Sequence, residues 1–363
     1  MQRKYKLNRF EKKTDLWEYL KRSTKTVVMY GMGNGADKIL NVCAERGIEI
    51  ADFFASDGFV RGHSFHGKRV LSYSETKERY GAENIIVLLS FASSLTDVIG
   101  TIRAVAEECE LYAPDVPVCG GEIFDIAYAR ENAERIRRAY DLLADGESKR
   151  IFEKTVMYKL TGNIGFLFEA ESDEDTVMTS LLRAEEIEAY ADLGAYNGDT
   201  LRKLAEYAPY LSRAVAFEPS PKTFKKLTAY ADNETRFKVT TVNAAAWSED
   251  TTLVFSDEGN RNSGLFAKGK TTEVAALTLD GVLNGDRVDY IKYDVEGCER
   301  EALAGSEKTV SAYYPKLLVS AYHKSADLFE LPLIIHEKFP DYKLYYRRYP
   351  YIPAWDLNLI GVK

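Results

Sequence analysis

The sequence predicts an α/β protein with two sheet-forming units joined by a helical connector, and three observations predict it. Two apolar runs, Thr26 to Tyr30 and Ala189 to Leu193, each end in a glycine-rich turn that opens a helical pattern. Strand and helix signals alternate as far as Gly120-Gly121 and again from Ile187 to the last residue, the alternation that a parallel sheet requires. Between them, Ile123 to Leu182 reads as long helical patterns rich in Glu, Arg and Ala. The implied division of the 363 residues is 1–122, 123–186 and 187–363.

In chain order, a short helix over Thr14 to Arg22 precedes the strand Thr26 to Tyr30, which runs into Gly31-Met32-Gly33-Asn34-Gly35-Ala36. Ile39, Leu40 and Cys43 keep helical spacing over Ala36 to Arg46, and Gly47 stops that helix. A second apolar run, Ile48 to Phe54, closes at Ser56-Asp57-Gly58 and completes a βαβ unit. Further strands are expected at Arg69 to Leu71, Asn84 to Leu89 and near Glu110 to Tyr112, with helices at Ser74 to Tyr80 and Thr96 to Glu108. In the connector the one strand signal is the glycine-broken Thr161 to Phe168. The second unit offers strands at Ala189 to Leu193, Ala214 to Phe217, Lys238 to Val242, Thr252 to Ser256, Tyr290 to Tyr293, Lys316 to Ala321, Tyr342 to Arg347 and Leu357 to Val362.

Composition narrows the function. Lys plus Arg number 48 against 56 Asp plus Glu, a net charge of −8, which gives no electrostatic footprint for nucleic acid. Cys43, Cys109, Cys119 and Cys298 form no C-x-x-C pair and no ladder of spacings, so reduced thiols in a cytoplasm are expected, with neither a zinc site nor a disulfide framework. No stretch approaches the ~20 apolar residues of a membrane span, and the basic start containing Arg3, Lys4, Lys6 and Arg9 lacks a signal peptide's apolar run.

The most informative segment is Asp192-Leu193-Gly194-Ala195-Tyr196-Asn197-Gly198-Asp199-Thr200. A strand ends in an acid, and two glycines let the backbone turn tightly against a ligand before a helix opens at Thr200. The next strand ends in Phe217-Glu218-Pro219-Ser220, where a carboxylate can accept from both hydroxyls of a ribose. That pairing suits NAD or S-adenosylmethionine. The loop reads G-x-x-x-G, not G-x-G-x-x-G, which suits a ligand without pyrophosphate and points to S-adenosylmethionine.

These residues, with Asn243-Ala244-Ala245-Ala246-Trp247, Leu279-Asp280, Ile291-Lys292-Tyr293-Asp294-Val295-Glu296-Gly297-Cys298-Glu299 and Ser320-Ala321-Tyr322-His323, resemble the FkbM family of methyltransferases from about Leu160 to the end. Tyr293 and Cys298 depart from the aliphatic residue and the alanine more usual there, without removing a polar group. The resemblance implies a class I methyltransferase fold, a seven-stranded sheet whose antiparallel hairpin would be Tyr342 to Arg347 with Leu357 to Val362. It also implies a small-molecule or glycan acceptor, with a hydroxyl of a sugar, nucleotide sugar or glycan precursor as the group methylated.

Methyl transfer to a hydroxyl requires an in-line approach and removal of a proton. Asp294 and Glu296 follow one strand of the second unit and His323 follows the next, so all three are expected to face the ligand crevice. His323 either takes the acceptor's proton or caps the next helix, Asp294 contacts the cofactor or the acceptor, and Glu296 and Glu299 flank a glycine turn. Asn243 and Ala244 are expected near the adenine. Three carboxylates and a histidine would also admit Mg²⁺, which the resemblance does not require, and no metal is assigned.

In the first unit, Gly31, Gly33, Gly35 and Asp57 have the outline of a nucleotide site. The stretch from Val27 to Leu71, including His66-Gly67-Lys68-Arg69, is similar to the nucleotide-sugar-binding domains of bacterial sugar acyltransferases. The competing reading is a degenerate Rossmann-like unit serving dimerisation or docking. Two other functions compete: an NAD-dependent sugar oxidoreductase, which would need a Tyr-x-x-x-Lys pair not expected after the glycine turn, and an inactive methyltransferase fold acting as a scaffold.

Overall fold

The computed structural model describes residues 10–60, 62–256 and 271–363; the basic residues Arg3, Lys4, Lys6 and Arg9 lie outside them. The first sheet has five parallel strands, β1 (Thr26–Tyr30), β2 (Asp52–Ala55), β3 (Leu71–Ser72), β4 (Ile85–Leu89) and β5 (Glu110–Tyr112), in the order β3-β2-β1-β4-β5. Its central strands are buried on both faces: Val28, Tyr30, Val87 and Leu89 enter one core cluster, and Val27, Met29, Ile86 and Leu88 enter another. A continuous apolar run is the signature of that double burial. The flanking helices are α1 (Leu16–Arg22), α2 (Asn34–Arg46), α3 (Tyr73–Tyr80) and α4 (Thr96–Glu108). Gly47, left-handed at φ 68°, ends α2, and a reciprocal Ser72–Glu75 capping box starts α3.

The run around Arg69 divides in two. Lys68–Arg69 pairs with Ser64–Phe65 in a small hairpin, and only Leu71–Ser72 joins the sheet. A Tyr-x-x-x-Lys spacing does occur after the glycine turn, at Tyr73 and Lys77 on α3, contrary to expectation. Its chemistry is already taken: Lys77 Nζ lies 2.6 Å from Glu108 and over the Tyr73 ring, and the Tyr73 hydroxyl lies 3.2 Å from Cys109 Sγ.

The connector holds α5 (Ala133–Leu142) and α6 (Gly146–Thr161). Thr161 to Phe168 is helical, not extended. Gly162 at φ 65° closes α6 by donating to Tyr158 O, and one further turn, Gly165–Phe168, follows. The connector shares both cores: Tyr140 and Phe152 pack with the second sheet, while Tyr158, Ile164 and Leu167 join Ile352 and Ala354 against the first.

The second sheet has seven strands: β6 (Ala189–Leu193), β7 (Arg213–Phe217), β8 (Lys238–Val242), β9 (Tyr290–Tyr293), β10 (Lys316–Ser320), β11 (Lys343–Arg348) and β12 (Leu357–Val362). Their order is β8-β7-β6-β9-β10-β12-β11, parallel except for β12, which runs antiparallel to both neighbours. Alternate residues again serve opposite faces, Ala191, Leu193, Ile291 and Val319 on one and Tyr190, Ala214, Leu318 and Ile360 on the other. Thr251–Ser256 is a strand outside this sheet, paired antiparallel with Thr271–Leu277. Because β6 pairs with β7 on one side and β9 on the other, the order reverses there, and a crevice opens beyond the carboxyl ends of β6, β7 and β9.

Candidate functional site

At that switch point the tips of β6 and β9 are pinched together. Gly194 has φ 93°, and a Cβ on it would stand 1.9 Å from the carbonyl oxygen of Asp294. The amides of Gly194 and Ala195 donate to Phe217 O, which fixes the turn against β7. Gly198 precedes α7 (Asp199–Tyr207), with its Cα so near the Tyr230 ring that a Cβ would lie 2.4 Å away. A cavity of about 410 Å³ fills the crevice, and Gly194, Tyr196, Asp199 and Thr200 line it. Asp192, Ala195, Asn197 and Gly198 do not; they shape the loop from behind. Asp192 is fully buried and accepts from the Thr200 hydroxyl, and Asn197 holds Arg202 through its Oδ1 and backbone carbonyl.

Glu218, Pro219 and Ser220 line the same cavity from the tip of β7, with Ala244, Ala245 and Ala246 beside them. Asn243 contributes by support: its Nδ2 donates to the carbonyls of Glu218 and Pro219, at 2.8 and 3.2 Å. Burial pushes the Glu218 carboxyl up to about 7 against the opposing pull of the Ser220 and Tyr196 amides.

Beyond β9 the ionisable groups gather. Lys292 Nζ lies 2.9 Å from Asp294 Oδ2 and 3.9 Å from Asp192 Oδ1, and the Tyr322 hydroxyl donates to Asp294 Oδ1 at 3.1 Å. His323 is 0 % exposed. Its Nδ1 is 2.9 Å from Glu299 Oε1, while its Nε2 is 3.6 Å from Asp294 Oδ1 and 3.5 Å from Glu296 Oε2. Carboxylates near both ring nitrogens favour the doubly protonated ring. Burial opposes that charge, but Glu299, Glu296 and Asp294 outweigh it and hold the imidazole up to about 10. Those neighbours favour the imidazolium form, and His323 sits where it holds charge among three carboxylates. Its side chain does not cap the next helix: α8 (Asp327–Lys338) has Ala326 before it and no side-chain cap.

Asp294 and Glu296 both face the cavity. Burial opposes ionisation of Asp294, but Lys292 and His323 outweigh it and hold the carboxyl well below its usual range. Glu296 differs. Its side chain is 41 % exposed at the cavity's edge, and desolvation of its inner part pushes its carboxyl up to about 7 despite His323. Glu299 is 1 % exposed and accepts from the amides of Val295 and Gly297, so it braces the turn. Among the described residues no group of three or more His, Cys, Asp or Glu is disposed to hold a metal ion.

The far end of the cavity is lined by residues that the motif reading passed over: Tyr351, Trp355 and Asp356 from the segment joining β11 to β12, Asn358 on β12, and Val118 from before the connector. The run Tyr349-Pro350-Tyr351-Ile352-Pro353-Ala354-Trp355-Asp356 is dense in aromatics, which was the available signal. Val118 also ties the two sheets together. Lys38 of α2 donates to Val118 O at 2.6 Å, and the next amide, Cys119, donates to His323 O at 3.1 Å.

The first-unit turn is built for close packing. A Cβ on Gly31 would meet the Phe91 ring at 2.6 Å, and one on Gly35 would meet Ser90 O at 2.2 Å; Gly33 has open space but φ 95°. Asp57 commits one oxygen to the Ser74 amide and the other to the Ser74 hydroxyl, so its carboxylate secures the start of α3.

A reversed-order parallel sheet with an antiparallel hairpin and this crevice defines a class I methyltransferase fold. Residues 192–352 match the family described as the methyltransferase FkbM domain. In architecture the chain is similar to the crystal structure of methyltransferase FkbM from Methylobacillus flagellatus KT, with a TM-score of 0.70 and 20% identity over 95% of this chain and 92% of that one. Shorter similarities reach a precorrin-6y C5,15-methyltransferase from Geobacter metallireducens GS-15, with 14% identity over 52% and 86% of the two chains and a TM-score of 0.34. Another is Aeropyrum pernix fibrillarin in complex with natively bound S-adenosyl-L-methionine, with 11% identity over 48% and 66% and a TM-score of 0.31. Comparison with curated proteins gave no match. Among the described residues no helix is long and apolar enough to cross a membrane.

Proposed function

We propose that this chain is an S-adenosylmethionine-dependent methyltransferase that O-methylates a hydroxyl of a sugar, nucleotide sugar or glycan precursor. The observation that carries this reading is a single cavity joining the Glu218 carboxylate at the tip of β7 to the Asp294–Glu296 turn at the tip of β9. The residues suit the cofactor: Glu218 can accept from a ribose diol, Ala244 to Ala246 leave room for a flat base, and bare backbone at Gly194 permits close approach. When bound, S-adenosylmethionine supplies an electrophilic methyl group on a sulfonium. Asp294, kept ionised by Lys292 and His323, supplies negative potential beside that position. Glu296, the one carboxylate of the β9 turn held near neutrality, receives the hydroxyl proton.

The test is calorimetric titration with S-adenosylhomocysteine. Glu218→Ala should weaken binding by roughly tenfold or more, the worth of one charge-assisted hydrogen bond, with an unchanged melting curve. NAD should not displace S-adenosylhomocysteine, because the G-x-x-x-G turn provides no pyrophosphate cradle. An unchanged dissociation constant in the variant, or displacement by NAD, would refute the site.

A further inference from the structure

We infer that the aromatic end of the cavity is the acceptor subsite, and that it takes an uncharged, unphosphorylated sugar ring laid on Trp355 beside Tyr322 and Tyr351. The inference rests on the reading above, which places the cofactor at the Glu218 end.

Shape comes first. Tyr322, Tyr351 and Trp355 are half-buried and line the cavity. The Trp355 ring lies 6.5 Å from Tyr322 at an interplanar angle of 26°, and 5.6 Å from Tyr351 at 38°. Three adjoining aromatic rings give this part of the cavity an aromatic lining, and an aromatic face suits the C–H face of a sugar ring. Asp356 and Glu296 stand at its edge as acceptors for hydroxyl donors.

Charge decides the ligand class. Among the described residues two lysines line the cavity, and both are committed: Lys203 to Glu174 at 2.5 Å and Lys292 to Asp294 at 2.9 Å. A phosphate here would face Glu296 and Asp356 with no unpaired cation among the described lining residues to receive it, an arrangement that desolvation makes costly. A cationic amine would share the cavity with the sulfonium of the reading above, a like charge at close range. A neutral ring meets neither cost. The same argument excludes a nucleotide sugar, whose diphosphate adjoins the ring.

This lining is also held in advance of binding, and the first unit does part of the holding. Ser93, just after β4, exchanges both backbone hydrogen bonds with Ile352, at 2.8 and 3.0 Å. Ile352 and Ala354 are buried in the first sheet's core, and fully buried Arg348 donates to Leu167 O and Tyr351 O. A platform fixed on both sides loses little entropy when a ring settles on it.

The experiment uses the full chain with S-adenosylhomocysteine bound, and neutral methyl glycosides as probes in saturation-transfer NMR. In parallel, transfer of a labelled methyl from S-adenosylmethionine is measured onto neutral oligosaccharides, amino sugars and polyamines, and sugar phosphates with nucleotide sugars. Saturation of ring protons and label in the neutral fraction are expected. Trp355→Ala should cut both by about tenfold or more while S-adenosylhomocysteine affinity stays within twofold, and Trp355→Phe should retain most of the wild-type signal. Label confined to amines or to phosphorylated sugars, no label in any fraction, or an indifferent Trp355→Ala would overturn the subsite. Loss of S-adenosylhomocysteine binding by the wild type would instead sink the cofactor reading.

Discussion

Replacing Gly194 with alanine should abolish cofactor binding and destabilise the chain by about 2–6 kcal/mol, the sum of a strained left-handed backbone and an overpacked contact. The new Cβ would sit 1.9 Å from the Asp294 carbonyl oxygen, and neither partner can yield cheaply. Gly194 is tied to Phe217 O on one side, and the Asp294 amide donates to Leu193 O on the other. The clash would therefore spread β6 from β9 at the point where their tips define the cavity. Gly33→Ala is the matched control: its φ of 95° carries the same backbone strain, but nothing lies within 4 Å of the added Cβ. Urea unfolding and calorimetry of both variants measure the difference. If Gly194→Ala loses no more stability than Gly33→Ala and still binds S-adenosylhomocysteine, the pinch of β6 against β9 is not what shapes the site.

The two sheets were legible because their central strands are buried on both faces. The runs Val27 to Tyr30 and Ile85 to Leu89 are apolar without interruption, and Ala189 to Leu193 is broken only by the buried Asp192. The local pattern failed where tertiary contacts set the outcome. Thr161 to Phe168 carries glycines and β-branched residues, yet Gly162 serves there as a helix stop. The strand Thr271–Leu277 was missed although it is the long partner of Thr251–Ser256. At the site, the tips of β6, β7 and β9 follow directly from strand–turn order, so Gly194, Glu218, Asp294 and Glu296 could be placed. Asp192 and Asn243 have the right residue types, but their side chains point into the supporting structure, which strand order alone does not reveal. The aromatic lining was beyond reach because Trp355 meets Tyr322 only once β12 has paired with β10. The carboxylate surroundings of His323 were out of reach for a related reason: its three carboxylate neighbours belong to the segment after β9, and only pairing of β9 with β10 brings them to the ring.

That cluster of carboxylates leads to the second large effect. Glu296→Gln should lower kcat/KM by about 10²- to 10⁴-fold, the usual worth of a general base, while S-adenosylhomocysteine affinity changes little. In the wild type, kcat/KM should fall as pH drops through about 7, where Glu296 takes up a proton and can no longer receive one. His323 acts on this limb from behind. As an imidazolium 3.5 Å from Glu296 Oε2 it favours the carboxylate, so its removal should move the acid limb to higher pH. A histidine acting as the base itself would have its limb vanish on substitution, not move. Stability gives an independent reading of the same charge. His323 is raised from its ordinary 6.5 to about 10, so its stabilising contribution is complete below about 6.5 and is lost as pH rises through 10. Wild-type stability should therefore decline on the alkaline side, and His323→Gln should lack that decline. Deleting the cation leaves Glu299, 1 % exposed, without its partner, at a cost of about 3–5 kcal/mol. Because that loss can unfold the chain, the deciding kinetic variant is Glu296→Gln, whose side chain borders open space. Full turnover in Glu296→Gln, with an acid limb that stays at about 7, would show that positioning alone drives the transfer and that the limb belongs to another group.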